Sequence, residues 1–205
     1  AGPGELTKAY DGDVLLTAEN TFSVGLVIQD AGTVYVTNAN SLGAGNLVAG
    51  SVDSRIGLHA SAAGDEITIT NNVDTAAPVV RTNYGTVTNV VGGVTNVTTN
   101  STNITTSYYM MAFAPGTNTN TGVLRSIRLD SVVTNAGLLK VSGNGNLFVN
   151  NTSNSYTGGT EIGTGAIVIS NPAVLSTGPV NFGTTTNSFL RFAADMTLTN
   201  LVTAK

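Results

Sequence analysis

Apolar and polar residues alternate with period two along most of the chain. Thr33-Val34-Tyr35-Val36-Thr37, Glu66-Ile67-Thr68-Ile69-Thr70, Ala166-Ile167-Val168-Ile169-Ser170 and Asp195-Met196-Thr197-Leu198-Thr199 all follow it, as does the run 122–130. Alternation sends every second side chain to one face of an extended strand and leaves Thr, Ser or charge on the other. β-branched residues suit such a half-buried pleat. Between the runs lie turn formers: Asp11-Gly12-Asp13, Asn71-Asn72, Gly143-Asn144-Gly145-Asn146 and Gly158-Gly159. No stretch carries a helical period convincingly. The segment from Tyr108 to Ala114 comes nearest, and it runs at once into Pro115-Gly116. The pattern predicts an all-β chain.

The chain also repeats itself. Leu6-Thr7-Lys8 matches Leu138-Leu139-Lys140, and Gly12-Asp13-Val14-Leu15-Leu16 matches Asn144-Gly145-Asn146-Leu147-Phe148. Asn20-Thr21-Phe22-Ser23-Val24-Gly25 matches Asn154-Ser155-Tyr156-Thr157-Gly158-Gly159. Val34, Val36, Asn38, Leu42 and Gly45 fall on Ile167, Ile169, Asn171, Leu175 and Gly178, and Ile67–Asn71 falls on Met196–Asn200. Five matches in one order, at offsets between 129 and 134, define two related modules of about seventy residues, 1–73 and 134–205. The segment 74–133 has no partner. Within it, 82–107 is a Thr/Asn-rich loop or a hairpin turning at Gly92-Gly93, because Thr86–Val90 and Val94–Thr98 both have strand character. The stretch 108–133 reads as a regular part of the fold.

The second copy, with Gly143-Asn144-Gly145-Asn146-Leu147, Tyr156-Thr157-Gly158-Gly159-Thr160 and Ala173-Val174-Leu175-Ser176-Thr177-Gly178, resembles the autotransporter-associated β-strand repeat. The likeness covers about 45 residues there and is weaker in the first copy, where Phe22 stands for Tyr156 and Val24 for Gly158. The resemblance implies a secreted or surface-displayed passenger folded as a parallel β-helix, with no catalytic motif to carry over. Physical reasoning leads to the same architecture. Coils stacked about 4.8 Å apart would bury Val, Ile and Leu in a narrow core. Thr and Asn would form outward ladders, and Gly and Asn would occupy corners needing positive φ. About seven to ten coils are expected. The competing architecture is an antiparallel β-sandwich or jelly roll. The repeat and the scarcity of two-residue hairpin turns favour the solenoid.

Composition narrows the function. Charged residues are only 10% of the chain, against about 25% in ordinary soluble domains, while Thr numbers 32, Asn 23 and Gly 24. Like charges in register repel, so a stacked fold would keep them few. Eight scattered basic residues in a chain of net charge -4 make no track for phosphates, which argues against nucleic acid. No apolar run is long enough for a transmembrane helix. Zero Cys excludes disulfides and thiolate chemistry, and one His excludes sites that need two imidazoles. The opening Ala1-Gly2-Pro3-Gly4 carries neither Met nor a leader, as expected of a mature product or a segment of a longer secreted chain.

Candidate chemistry is thin. Asp11 and Asp13 could be half a calcium site, but the second copy has Gly143-Asn144-Gly145 there, so a solvated turn is expected. Asp65 and Glu66 are adjacent on a strand and face opposite ways. The remaining carboxylates are scattered, where a glycosidase needs two or three on one face. His59, in phase with Arg55 and Gly57, is expected to face outward. The glycines near Asn144 precede a strand, so no helix N-terminus is available for a phosphate. No enzyme activity, cofactor or metal is therefore expected. The expectation is a structural protein of the extracellular space or cell surface, stacking head to tail with itself or with neighbouring segments of a longer chain. An adhesin module binding glycan or host protein through 82–107 is the alternative. Candidate assembly contacts are the tail Ala1, Gly2 and Pro3, which could exchange into a neighbour, the cluster Tyr108, Tyr109, Met110 and Phe113, which reads as core or coil-capping filling and alternatively as a contact surface, and Leu201 and Val202. Asn96, Asn100, Asn103 and Asn151 satisfy the glycan-acceptor rule.

Overall fold

The computed structural model describes residues 4–59, 62, 64–76, 79–91, 94–107 and 109–204, with only the backbone path for 79–91 and 94–106. In chain order the strands are β1 (Glu5–Lys8), β2 (Val14–Leu16), β3 (Gly25–Ile28), β4 (Thr33–Val36), β5 (Asn46–Ala49) and β6 (Ser54–Leu58). Then come β7 (Glu66–Ile69), β8 (Val73–Asp74), β9 (Val79–Val91), β10 (Val94–Ser107), β11 (Met110–Ala114) and β12 (Ser126–Leu129). The last six are β13 (Val133–Thr134), β14 (Leu138–Val149), β15 (Thr160–Ile169), β16 (Val180–Phe182), β17 (Ser188–Phe192) and β18 (Val202–Ala204). Single 3₁₀ turns at Ala39–Leu42 and Pro172–Leu175 are the helical elements among the described residues.

Among the described residues every pairing between named strands outside the β9–β10 hairpin is parallel, and the chain winds into a β-solenoid of about eight turns. At about 4.8 Å per rung the rod is roughly 35 Å long. It has three faces. The first stacks β1, β3, β5, β8 and β13, and residues 155–157 continue it through Ser155 N–H to Val133 O and Thr157 N–H to Asn135 O. The second stacks β2, β4, β6, β11, the first halves of β14 and β15, then β16 and β18. The third stacks β7, β12, the second halves of β14 and β15, and β17.

Register builds the core. On the second face Val14, Val34, Ile56, Phe113, Val141, Ile162, Phe182 and Ala204 form one inward column. On the third, Ile69, Leu129, Val149, Ile169 and Phe192 form another. On the first, Leu6, Leu26, Leu47, Val73 and Val133 do the same. Some of the few charges pair between rungs, as Lys140 does with Glu161 at 2.7 Å and Arg128 with Glu66 at 3.3 Å.

The repeat shows itself in the corners. Asn38 and Asn171 cap the two 3₁₀ turns, their side chains accepting from Ser41 N–H and Ala173 N–H. The rung before each turn donates an Asn amide to it: Asn20 Nδ2 to Ser41 O at 2.8 Å and Asn154 Nδ2 to Val174 O at 2.8 Å. The rung after does so twice. Asn71 Nδ2 reaches Gly43 O at 3.0 Å and Gly45 O at 2.7 Å. Asn200 Nδ2 reaches Ser176 O at 3.1 Å and Gly178 O at 2.7 Å. The repeated Asn therefore tie corners together rather than forming the outward ladders expected of them.

Two early matches of the repeat slip by one residue. Lys8 follows the inward parity of Leu6 and pairs with Ile28, whereas Lys140 faces outward to Glu161. Val14 is an inward residue, so its counterpart is Leu147 rather than Asn146. A one-residue slip moves a strand's whole apolar set to the other face. The modules also differ in azimuth. Segment 74–133 contributes β8, β11, β12 and then β13, which brings the chain one face beyond a full turn. Gly25, which opens β3 on the first face, thus corresponds to Gly159, which leads into β15 on the second. The second module is turned by one face about the rod axis.

The hairpin β9–β10 lies between β8 and β11, with Val94 opposite Val91 and a register shift between Ser101 and Asn103. Its strands pair with each other alone among the described residues.

Candidate functional site: the open ends and a lateral groove

Inside the rod the columns are closed. Val34 through Ile162 on the second face are at most 1% exposed. At the ends inward positions emerge into solvent, with Val14 37% exposed at one end, and Phe192 52% and Val202, which stands on buried Val180, 48% at the other. Leu201, beside Val202, is 70% exposed. Among the described residues, edge strands β1 and β2 at the start, and β17 and β18 at the finish, have a partner on one side only. Unpaired strand edges with an apolar face are templates for further strands.

The first end is partly closed at one corner. Lys8 sits at an inward position yet is only 5% exposed. Its Nζ donates to Tyr10 O at 2.7 Å, to Ala31 O, and more weakly to Asp30 O. Three corner carbonyls thereby satisfy a buried ammonium. Alternation alone would have put an apolar residue there. Beside this corner, Asp13, Val14, Leu15, Tyr35 and His59 line a shallow hollow of about 470 Å³. His59 is half-buried, meeting the ring of Tyr35, an outward residue of β4, edge-on at 5.9 Å.

The expected contact residues separate. Leu201 and Val202 lie on the finishing end. Met110 and Phe113 are core residues of the fourth rung, and Tyr109 is packed partly against that core. Phe113 belongs to the core cluster and Met110 is buried as well, which agrees with the core reading of the cluster and leaves neither as a surface contact. Ala1, Gly2, Pro3 and Tyr108 lie outside the described residues. Asn96, Asn100 and Asn103 lie on β10, where only the backbone path is described. Asn151 is half-buried in the turn after β14, its Nδ2 donating to Asp130 O at 3.0 Å and its Oδ1 accepting Ser153 N–H at 2.9 Å.

Carboxylates act as ties. Asp13 accepts Thr33 N–H at 2.7 Å, and Asp30 accepts Tyr10 N–H at 2.7 Å. Asp65 and Glu66 diverge, the first to Asn118 at 2.7 Å and buried Arg125 at 3.5 Å, the second to Arg128. Among the described residues no three His, Asp or Glu converge as metal ligands, and no helix is long and apolar enough to cross a membrane. Burial pushes the Tyr156 phenol well above the ordinary tyrosine range, although its bond to Thr160 at 2.7 Å opposes the shift.

A second feature was not anticipated. A groove of about 300 Å³ runs along the edge between the second and third faces, lined by Thr117, Leu124, Asn144, Asn146, Gly165, Ala166, Asn187, Phe189 and Arg191. Its floor follows from register. Asn146, Ala166 and Phe189 occupy one outward column, and the small middle member leaves a notch between an amide and a ring. Gly165 makes the adjacent corner tight. Its φ is +83° and a Cβ there would stand 1.9 Å from Gly143 O. Searches against family models, curated proteins and solved structures matched nothing, so its chemistry has to be argued from these residues alone.

Proposed function

We propose that the chain is a non-catalytic structural segment of an extracellular fibre or surface layer, built by end-to-end stacking of its coils. The observation that carries this reading is the pair of unfinished columns. Val14 at one end and Phe192 and Val202 at the other are apolar, exposed and in register with the buried core, and exposed Leu201 flanks them. A further coil on either end would bury them and pair the free backbone edges of β1, β2, β17 and β18. That coil can come from a second copy or from more of a longer chain. The two ends are different surfaces, so the contact is heterologous and propagates as a filament. The likeness to autotransporter-associated repeats and the scarcity of charge support placing this rod outside the cell.

An adhesin-like role has one observation of its own, the hairpin β9–β10. It leaves the coil between β8 and β11 and pairs with no other strand among the described residues. Deleting 79–107 would separate the two readings, because stacking would persist and adhesion would not.

Sedimentation velocity over a wide concentration range tests the stacking. The wild-type chain should shift to longer species as concentration rises, and a Leu201→Asp/Val202→Asp double variant should not. A wild type that stays monomeric throughout, or a double variant that associates equally well, would overturn the proposal.

A further inference from the structure

The groove at the edge of the second and third faces has a composition unlike the rest of the rod. Three amides, Asn144, Asn146 and Asn187, converge on it. Phe189 is 45% exposed beside them, and the Arg191 guanidinium lies 5.4 Å from its ring centroid. Arg191 also donates to Asn146 Oδ1 at 3.1 Å, spanning the rung that carries Ala166. No carboxylate lies within ion-pair distance of Arg191 among the described residues, unlike Arg55, Arg125 and Arg128. The lining holds no other charge in a chain whose net charge is -4.

We infer that this groove binds an acidic oligosaccharide, with Arg191 pairing a uronate carboxylate, the Asn amides bonding ring hydroxyls and Phe189 packing against a pyranose face. Each assignment follows from side-chain chemistry. A planar guanidinium matches a carboxylate fork. Amides offer both donor and acceptor to a hydroxyl. An aromatic ring gives a sugar's C–H face an apolar platform. The length fits as well. Leu124, Asn146, Ala166 and Phe189 come from four successive rungs, so the groove runs about 14 Å along the axis, enough for a short oligomer rather than one ring. The site opens sideways through outward residues, but Phe189 and Arg191 lie on β17, an edge strand of the finishing end, so the titration is run at concentrations where the chain sediments as a monomer.

The test is a titration of the isotope-labelled protein with tri-galacturonate, followed by NMR, alongside the methyl-esterified trimer. Saturable shifts should centre on the side-chain amides of Asn144, Asn146 and Asn187. The ester should bind at least about tenfold more weakly, as should Arg191→Ala, with Arg191→Lys in between. Phe189→Ala should weaken both trimers alike. Arg191 and Phe189 are exposed, so these variants should melt like wild type, and the ester arm needs no variant at all. Absence of saturable binding, equal affinity for acid and ester, or full affinity in Arg191→Ala would each overturn the inference.

Discussion

Asn154 offers the sharpest test of how the corners hold the coils together. The residue is 8% exposed and its side chain serves three rungs. Oδ1 accepts Val133 N–H at 2.8 Å and Nδ2 donates to Val174 O at 2.8 Å. Asn154→Ala strips the partner from one buried donor and one buried acceptor at once. Each unsatisfied group costs about 1–3 kcal/mol, so the variant should lose about 2–6 kcal/mol. Asn154→Asp should not recover this, because it keeps the acceptor and puts a second oxygen against Val174 O. Asn151→Ala, three residues earlier and half-buried, removes bonds that water can replace and should cost at most about 1 kcal/mol. Urea unfolding followed by far-UV circular dichroism reads the difference directly, provided the slope of each transition is unchanged. A loss below about 0.5 kcal/mol for Asn154→Ala, or one equal to that of Asn151→Ala, would refute the view that corner amides bind the rungs.

Other outcomes follow from the same geometry. Asn71→Ala should be more destabilising than Asn200→Ala, since both side chains hold two carbonyls but Asn71 is buried and Asn200 lies near an open end; equal melting temperatures would contradict this. Gly165→Ala should cost at least about 2 kcal/mol in the same urea assay, from positive φ and the collision with Gly143 O. Phe113→Ala should lose about 3–5 kcal/mol as a core cavity, without a specific effect on association below its melting temperature. Stability should fall as pH rises above about 10, the ordinary tyrosine value, because unfolded Tyr156 releases its proton there while the folded, desolvated phenol keeps it. Below that pH the contribution is fully present, and Tyr156→Phe should flatten the alkaline slope of a pH-dependent urea series.

Much of the fold was legible because a solenoid writes its core in period two. Val34, Ile67, Ile167 and their alternates lie inward as their spacing implies. The matched Asn pairs, 20 with 154, 38 with 171 and 71 with 200, occupy equivalent corners, although composition suggested ladders instead. The register of the first two matched strands was not legible. In a chain this rich in Val and Leu, a one-residue slip still aligns apolar with apolar at Leu138-Leu139 and Leu147-Phe148. The turn of one face between the modules was hidden too, because sequence offsets carry no azimuth and 74–133 had no partner to count its strands against. The cluster at Tyr108–Phe113 could be read as core filling or as a contact patch, because aromatic density alone does not reveal that β11 has neighbours on both sides. The groove escaped because it is a gap, made by Ala166 between Asn146 and Phe189, and small residues leave no motif. Buried Lys8 and Arg125 were equally silent, since their partners are backbone carbonyls and side chains far away in sequence.

The account rests on one claim, that the apolar columns and free strand edges at each end accept another coil. X-ray diffraction from an aligned, concentrated sample tests it most directly. Stacked rods should give an axial reflection near 4.8 Å whose width narrows as concentration rises, because the ordered length then exceeds the roughly 35 Å of a single chain. A reflection whose width stays fixed at the length of one molecule at every concentration would contradict it.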